Sequence, residues 1–418
     1  MQTDTFASLA LSPFLIESLE ERNIVKPTEI QKRAVKRFLA GESFMFRSAT
    51  GTGKTFAYLL PLLERVLGLL QNEDASLRGK PLLLVAAPTY ELCAQIKSEA
   101  DFLLKAAPLK VNTSLLIGSA APLRQIEALK NERPEVIIGN PGRILLLARQ
   151  GKLRLGNVQF LVLDEGDRLV QDELLEETSG MISVLKSSLK GKPLLAAACS
   201  ATFPAKCRQR LMPLLGISPV SEKAGIEDDS SLDVLREKVE HWAFFCPQRE
   251  KPDLLRSLIA ALNSARGKKR SPVKALVFTG RGGEAENICS RLRHHKLPAA
   301  SLSGGMDKTL RKQALDAFRS GEAKFLVSSD LAARGLDISD VTHVIAMDVS
   351  EDKDVYLHRA GRTARAGKSG VMISIGTEGE MRRLAALEKN LGLTVYPKIL
   401  YGGKILKPEI MDSMPEEN

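Results

Sequence analysis

The sequence predicts an α/β protein made of two tandem domains, each a mostly parallel sheet covered by helices. Three observations support this prediction. The chain has 418 residues, and at roughly 150 residues per domain this length suggests two or three domains. Short, continuously apolar runs alternate with longer amphipathic stretches, which is the pattern of parallel strands buried between covering helices. One acidic, serine-rich stretch near the middle of the chain, residues 218–231, interrupts this alternation.

The apolar runs form two series, one in each half of the chain. The predicted strands are 44–46, 82–87, 136–139, 160–163 and 194–199 in the first half, and 275–279, 299–303, 325–328, 344–347 and 371–375 in the second. Amphipathic stretches between them, such as 91–106, predict helices. Residues 218–231 contain no strand pattern, so we place a linker at 223–239, between a domain of residues 1–222 and a domain of residues 240–418. Ligands of such sheets bind beyond the carboxyl ends of the strands, where functional residues are therefore expected.

Composition excludes several classes of protein. Hydrophobic residues make up 44% of the chain, which is too many for a disordered protein. No window approaches the roughly 18–20 apolar residues of a membrane span, and the N-terminus lacks the basic start of a signal peptide, so we expect a cytoplasmic protein with no membrane partner. The five cysteines are scattered and form no CxxC pair, which disfavours a zinc site or a disulfide framework.

The net charge is +10, from 60 Lys and Arg against 50 Asp and Glu. The excess is concentrated in residues 251–300, which carry 11 basic and 3 acidic side chains. A basic stretch of this kind favours phosphate-bearing partners, but a solvated loop would have the same composition.

A phosphate-binding loop is predicted between the strand at 44–46 and the helical stretch that follows it. The loop consists of Ser48, Ala49, Thr50, Gly51, Thr52, Gly53, Lys54 and Thr55. Glycines allow backbone amides to surround phosphate oxygens, and the N-terminus of the following helix adds partial positive charge. In this pattern Lys54 reaches the β- and γ-phosphates and the Thr55 hydroxyl binds Mg²⁺. A glycine-rich turn without a nucleotide is the alternative interpretation of this motif alone.

An acidic cluster at the end of the predicted strand 160–163 supports the nucleotide site. Asp164, Glu165 and Asp167 lie within four residues, and carboxylates this close repel one another unless a cation neutralises them. With a phosphate loop in the same domain, Mg²⁺ is the expected cation, held by Asp164, water and the phosphates. Glu165 is then placed to act as general base on the attacking water. A solvated acidic turn or helix cap is the alternative.

Together these motifs resemble those of the DEAD-box family of ATP-dependent RNA helicases, with DEGD in place of DEAD, over about residues 6–391. The resemblance implies two RecA-like domains with an interdomain cleft, ATP and Mg²⁺ as cofactors, and RNA as partner. Residues 26–31 resemble the family's Q motif, which implies that Gln31 reads the adenine edge and that Phe6 stacks on the ring. An amide suits this role because it offers both a donor and an acceptor to adenine.

Further motifs imply RNA contacts and coupling between the ATP and RNA sites. The residues that match RNA-path motifs are Pro88, Thr89, Gly118, Arg143, Gly304, Ser329 and Arg334. Those that match coupling positions are Asp167, Ser200, Thr202 and His358. By the same resemblance Asp337 would hold the ATP ribose, and Arg362 and Arg365 would act as arginine fingers on the γ-phosphate. Because these two arginines are three residues apart, we expect them on one face of a helical turn.

Several positions depart from the family's patterns. Gly166 replaces the alanine of the acidic motif and Tyr90 replaces the arginine of the PTREL motif. Other motif residues are replaced by Ser303, Asn140, Glu29 and Ala364. The loss of a cation at Tyr90 would reduce the salt dependence of RNA binding by about one charge equivalent. We expect these departures to affect RNA affinity and duplex unwinding more than ATP hydrolysis.

The sequence therefore predicts an RNA-dependent ATPase that binds RNA mainly through its backbone and separates short duplexes. Two alternatives remain: an ATP-gated RNA clamp or assembly factor that unwinds weakly, and a DNA-directed motor of a related superfamily. One chain supplies every motif, so we expect a monomer. No second RNA-binding module follows residue 391, so we expect a protein partner or surface loops to direct the chain to its RNA.

Overall fold

The computed structural model describes residues 5–47, 53–71, 75–217, 226–227, 231–264, 273–280, 284–303, 305–330, 338, 340–364 and 368–408. The chain divides into two compact units, Met1–Asp229 and Ser230–Asn418. This division falls within residues 223–239, where the sequence predicts the linker. No helix among these described residues is long and apolar enough to cross a membrane.

The first unit is built around a parallel sheet. Its strands are β1 (Phe44–Arg47), β2 (Leu83–Ala86), β3 (Thr113–Leu116), β4 (Val136–Gly139), β5 (Phe160–Asp164), β6 (Leu195–Ser200) and β7 (Ile226–Glu227). They follow the order β3-β4-β2-β5-β6-β1-β7, and all their pairings are parallel. The α-helices of this unit are α1 (Pro13–Glu21), α2 (Glu29–Leu39), α3 (Lys54–Gln71), α4 (Tyr90–Leu104), α5 (Pro122–Glu132), α6 (Pro141–Arg149), α7 (Gly166–Leu169), α8 (Asp172–Leu189) and α9 (Ala205–Leu215). Two short 3-10 helices span Phe6–Leu9 and Ala75–Leu77.

The second unit repeats this architecture. Its parallel sheet contains β8 (Val239–Phe245), β9 (Ala275–Thr279), β10 (Ala299–Leu302), β11 (Phe325–Ser329), β12 (His343–Ala346), β13 (Gly370–Gly376) and β14 (Val395–Pro397). Their order is β10-β11-β9-β12-β13-β8-β14, and an antiparallel hairpin of β15 (Ile399–Tyr401) and β16 (Lys404–Leu406) follows. The α-helices are α10 (Ser231–Lys238), α11 (Lys251–Ser264), α12 (Glu284–His294), α13 (Lys308–Ser320), α14 (Lys353–Ala360) and α15 (Glu378–Leu391).

The continuous apolar runs form central strands because helices cover both faces of each sheet. Every residue of β2, β4 and β5 is buried, and so is every residue of β9 and β11. All ten strands predicted from the sequence are present, and their ends lie within one residue of the predicted ends. The prediction of two α/β units with mostly parallel sheets is therefore confirmed.

Several strands were not predicted from the sequence. Strand β3 begins with the polar residues Thr113 and Ser114, which are buried but break the apolar run. The expectation that residues 218–231 contain no strand is wrong at Ile226–Glu227, which pairs with β1. A strand of two residues is too short to leave a recognisable pattern, because strand signals need at least four residues or so.

Strand order determines where the motifs of the first unit meet. Strands β5, β6 and β1 are neighbours, so their carboxyl ends lie side by side. The register pairs Asp164 with Cys199, and Arg47 with Ser200. The predicted phosphate loop follows β1, and the acidic cluster begins at the end of β5. The Ser-Ala-Thr motif, residues 200–202, contains the predicted coupling residues Ser200 and Thr202 and begins at the end of β6. Motifs far apart in the chain thus converge at one edge of the sheet.

Candidate active site

The phosphate loop requires glycine at the position just before helix α3. Gly53 has a φ of +89°, and α3 begins at the next residue, Lys54. A Cβ atom at Gly53 would lie only 2.3 Å from Nε2 of Gln31. The left-handed backbone therefore favours glycine, and a side chain here would also displace the Gln31 amide. Lys54 and Thr55 are half-buried in the first turn of α3. Five loop residues lie outside the described part of the chain: Ser48, Ala49, Thr50, Gly51 and Thr52.

Gln31 connects helix α2 to this loop. Its Nε2 donates to the Gly53 carbonyl at 3.1 Å, and its Oε1 accepts the Thr28 N–H at 2.9 Å. A primary amide has two N–H donors and two acceptor lone pairs, so one of each remains for a base. Gln31 is itself only 2% exposed, and Phe6 is 1% exposed and packs in the core of the first unit. The structure therefore places Gln31 at the loop, but it presents neither the Gln31 amide nor the Phe6 ring on an open surface.

Asp164 is held in place by neutral hydrogen-bond donors. The Tyr58 hydroxyl donates to Oδ2 at 2.8 Å, while the Cys199 thiol and the Glu165 N–H donate to Oδ1 at 3.2 and 2.9 Å. Burial and then the charge of Asp164 raise the pKa of Tyr58 and the pKa of Cys199 well above their ordinary values. Both groups therefore keep the proton that they donate. The carboxylate is oriented without being neutralised by these contacts.

Neither Tyr58 nor Cys199 was identified as a site residue from the sequence. Cys199 is one of five cysteines, all of them buried, and the sequence shows no pattern that sets it apart from the others. Tyr58 lies in an almost entirely apolar stretch of α3, where its ring resembles one more core residue. The only available signal was the hydroxyl itself, because a buried Tyr oxygen usually needs a hydrogen-bond partner.

The backbone turns sharply at Glu165. This residue has φ +50° and ψ +49°, and it precedes the short helix α7. The left-handed conformation costs a non-glycine residue about 1–2 kcal/mol, and such strain tends to persist at functional sites. The next residue, Gly166, is closely packed, since a Cβ there would lie 3.1 Å from the Cβ of Ala198 on β6. The alanine of the DEAD pattern would therefore be tight at this position.

The Ser-Ala-Thr motif is joined directly to the acidic cluster. The Thr202 hydroxyl donates to Oδ2 of Asp167 at 3.0 Å, and both residues are buried. Thr202 also donates its N–H to the Ser200 hydroxyl at 3.4 Å. The structure therefore brings together three of the four residues predicted to couple the two sites.

The predicted RNA-path residues of the first unit lie beyond β2, β3 and β4. Arg143 is buried, and its guanidinium donates to the Gly118 carbonyl at 2.9 Å and to the Gln125 side chain at 3.5 Å. Pro88 is half-buried, and Thr89 caps α4 by accepting the Leu92 N–H at 3.3 Å.

Asn140, a departure from the family pattern, donates to the Ala87 carbonyl at 2.9 Å. Its amide thus ties the segment after β4 to the segment after β2. Together with the Arg143 contact, this links the three predicted RNA motifs of the first unit to one another.

In the second unit, a buried arginine organises the strand ends. Arg359 donates to both carboxylate oxygens of Asp330 at 2.7 and 2.6 Å, and to those of Asp348 at 3.1 Å. Burial alone would lower the pKa of Arg359, but the hydrogen bonds and charges of Asp330 and Asp348 raise it. Asp330 directly follows Ser329, a predicted RNA contact that is buried at the end of β11.

The predicted arginine finger Arg362 is not on a helix. Helix α14 ends at Ala360, and Arg362 lies in the turn that follows, with its N–H bonded to the Arg359 carbonyl at 3.0 Å. The expectation of a shared helical face is therefore wrong for Arg362, because the chain leaves the helix at Gly361. His358 is half-buried in the last turn of α14. The other predicted residues of this unit lie outside the described part of the chain: Gly304, Arg334, Asp337 and Arg365.

Comparisons with known proteins agree with these motifs. A model of the DEAD/DEAH box helicase family matches residues 28–210, and a model of the helicase conserved C-terminal domain matches residues 250–367. The chain is 34% identical to the DEAD-box ATP-dependent RNA helicase CshC of Bacillus cereus, covering 95% of this chain and 94% of that protein. It is 32% identical to the probable ATP-dependent RNA helicase YfmL of Bacillus subtilis, over 94% of this chain and 96% of the relative.

Solved structures show the same fold. A variant of Saccharomyces cerevisiae Dbp5 bound to RNA and ADP BeF3 is 25% identical, with a TM-score of 0.78, covering 94% of this chain and 96% of that chain. A structure of Mss116p bound to ssRNA and AMP-PNP has a TM-score of 0.79 at 21% identity, over 99% of this chain and 83% of that chain. The two parallel sheets thus correspond to tandem RecA-like domains. By its motifs, its fold and its relatives, the chain belongs to the DEAD-box family of ATP-dependent RNA helicases.

Proposed function

We propose that this chain hydrolyses ATP with Mg²⁺ and couples hydrolysis to RNA binding and to local separation of short duplexes or remodelling of RNA–protein complexes. The observation that carries the proposal is the convergence of Lys54, Asp164 and Thr202 at neighbouring strand ends. Phosphoryl-transfer sites need a cation beside the phosphates and a residue that orients the attacking water. Coupling to RNA further needs a contact between the ATP site and the RNA-binding segments.

The residues present fit a Mg²⁺ ion bound largely through water and phosphate. No group of three or more His, Cys, Asp and Glu side chains among the described residues could hold a metal ion. Asp164 supplies one oriented carboxylate and Thr55 one hydroxyl. Mg²⁺ keeps several waters and commonly binds one or two carboxylates together with substrate phosphates. When bound, the ion would neutralise charge that develops on the phosphates.

Each remaining site residue has a proposed task. Gln31 selects adenine, and Lys54 contacts the β- and γ-phosphates. Glu165 takes the proton of the attacking water, as a general base within reach of the γ-phosphate. Arg362 and Arg365 stabilise charge on the γ-phosphate, and Asp337 holds the ribose. Arg365 and Asp337 lie outside the described residues.

RNA binding is proposed to act on this site through Thr202 and Asp167. RNA lies along the segments of Thr89, Arg143 and Ser329, with its backbone rather than its bases in contact with the protein. Because the Thr202 hydroxyl is bonded to the acidic cluster, a movement of the Ser-Ala-Thr segment on RNA binding would reach the catalytic carboxylates. ATP turnover should therefore depend on RNA.

The test is ATP hydrolysis with and without single-stranded RNA. We expect strong stimulation by RNA, and we expect Glu165→Gln to abolish it while ATP binding persists. Glu176→Gln, an exposed glutamate on α8, is the matched control and should behave as the unaltered protein. Turnover that is the same without RNA, or an active Glu165→Gln variant, would contradict the proposal. Stimulation by DNA in preference to RNA would instead indicate a DNA-directed motor, since the 2′-hydroxyl distinguishes the two.

A second candidate is an ATP-gated RNA clamp with weak unwinding. Tyr90, which replaces an arginine, is 48% exposed at the start of α4 and offers a phenol where the family pattern has a cation. ATP-dependent RNA binding without displacement of a short duplex would favour this candidate. Sedimentation of the protein with and without RNA would test the expected monomer.

A further inference from the structure

A cavity of about 260 Å³ lies between helices α11 and α12 of the second unit. Its floor is apolar, because Leu255, Ile288 and Leu292 line it from the buried faces of the two helices. Its rim is polar and carries Arg256, Arg291, His294, His295 and one carboxylate, Asp253. Arg291 and both histidines are exposed, and Arg256 is half-buried. None of the residues proposed to contact ATP or RNA lines this cavity.

The arginines of this cavity differ from the other cations on the same helices. Lys251 is bonded to Glu380 at 2.7 Å, and Arg293 lies 3.9 Å from Glu286. Among the described residues, no ion pair involves Arg256 or Arg291. They belong to the stretch of residues 251–300, which has 11 basic and 3 acidic side chains. The basic excess of the sequence therefore has, in part, a defined location beside an apolar cavity.

We propose that this cavity binds the sugar-phosphate backbone of single-stranded RNA, outside the family's RNA motifs. The proposal extends the proposed function and rests on it. Guanidinium groups bind phosphate oxygens in pairs, and arginine and histidine side chains offer planes on which unstacked bases lie. The volume is below the roughly 300 Å³ at which small-molecule sites begin. It therefore suits one ribose-phosphate of a longer strand rather than a whole cofactor.

The experiment measures how RNA affinity depends on RNA length. Fluorescence anisotropy with labelled oligouridylates of increasing length, in the presence of a non-hydrolysable ATP analogue, gives the affinity at each length. The test variant combines Arg256→Glu with Arg291→Glu, and a second variant carries Gln at both positions in case charge reversal disturbs folding. The matched control combines Arg319→Glu with Arg382→Glu, which changes the net charge equally at exposed arginines that already pair with Asp316 and Glu378.

We expect the cavity variants to bind long oligomers more weakly and to lose no affinity for the shortest oligomer that the unaltered protein binds. For long oligomers, the slope of log affinity against log salt should become shallower by about 1.4, or about 0.7 for each of two lost phosphate contacts. The control variant should retain both the affinity and the slope.

Three outcomes would overturn the proposal. The cavity variants could show an unchanged dependence of affinity on RNA length, or the control variant could lose as much affinity as they do. In a parallel titration with polyglutamate, the cavity variants could lose affinity for polyglutamate and retain their affinity for long RNA. Failure of the proposed function looks different, because the unaltered protein would then show no RNA-stimulated ATP hydrolysis even with long oligomers. If the cavity alone is misassigned, that stimulation persists and the variants match the unaltered protein.

Discussion

Replacement of Tyr58 by phenylalanine tests whether orientation of Asp164 governs binding of the metal–nucleotide complex. The change deletes one hydroxyl from a side chain with no exposed surface and leaves the ring in place. Asp164 then loses the 2.8 Å bond at Oδ2 but keeps the thiol and backbone donors at Oδ1. The carboxylate remains in the site with one oxygen less firmly placed.

The magnitude follows from the kind of bond that is lost. Hydrogen bonds to charged groups contribute about 1.5–3 kcal/mol, and the two remaining donors argue for the lower end of this range. A loss of about 1.4 kcal/mol corresponds to about tenfold in an equilibrium constant. We therefore expect Tyr58→Phe to reduce about tenfold the factor by which Mg²⁺ strengthens nucleotide binding.

The assay compares the affinity for a fluorescent ADP in excess Mg²⁺ and in excess EDTA. Its control is Tyr356→Phe, which removes the same hydroxyl from a buried tyrosine in the second unit, bonded there to His241 at 2.7 Å. Tyr356→Phe should lower thermal stability and leave the Mg²⁺ dependence intact. The reasoning fails if Tyr58→Phe retains the full Mg²⁺ dependence, or if both variants change it equally.

Three further predictions concern the buried polar groups. Thr202→Val, which deletes the donor to Asp167, should reduce RNA stimulation of ATP hydrolysis about tenfold with unchanged ADP binding, measured by titration with RNA. Lys251→Met removes the ammonium group that lies 2.7 Å from the buried Glu380 carboxylate. It should lower the free energy of unfolding by about 3 kcal/mol in urea, whereas the same substitution at an exposed lysine should lower it little. Burial lowers the pKa of His241, so the folded state binds a proton at this ring less readily than the unfolded state does. Below about pH 6.5 the unfolded state therefore binds more protons than the folded state. Urea unfolding should show that the free energy of unfolding decreases as the pH is lowered through this range, by at most about 1.4 kcal/mol per pH unit. His241→Gln should lack this contribution to the slope.

The sheets and the convergence of motifs could be predicted because they depend on local patterns. Apolar runs indicate buried parallel strands, and functional residues lie beyond the carboxyl ends of such strands. The position of Asp164 and Thr202 at these strand ends could therefore be predicted from the sequence alone. Arg362 could not, because its spacing from Arg365 says nothing about where α14 ends.

The hydrogen-bond partners of Tyr58 and Arg359 also could not be predicted from the sequence. Tyr58 lies 106 residues from Asp164, and Arg359 lies 29 residues from Asp330. Contacts of this kind depend on which helix packs over which strand end, and hydrophobic periodicity carries no information about that pairing. The position of β7 was missed for the related reason that only its partner β1 defines it as a strand.

Among the described residues, the buried charges of Arg359 and Asp164 differ in whether an opposite charge neutralises them. Arg359 faces the carboxylates of both Asp330 and Asp348, so its positive charge is neutralised inside the second unit. Asp164 accepts hydrogen bonds from a phenol, a thiol and a backbone N–H, which orient its negative charge without cancelling it. A buried charge that is oriented but not cancelled favours a cation from solution, whereas a neutralised one does not. Substitution of Arg359 should therefore reduce stability first, while substitution of Tyr58 should first reduce the response to Mg²⁺.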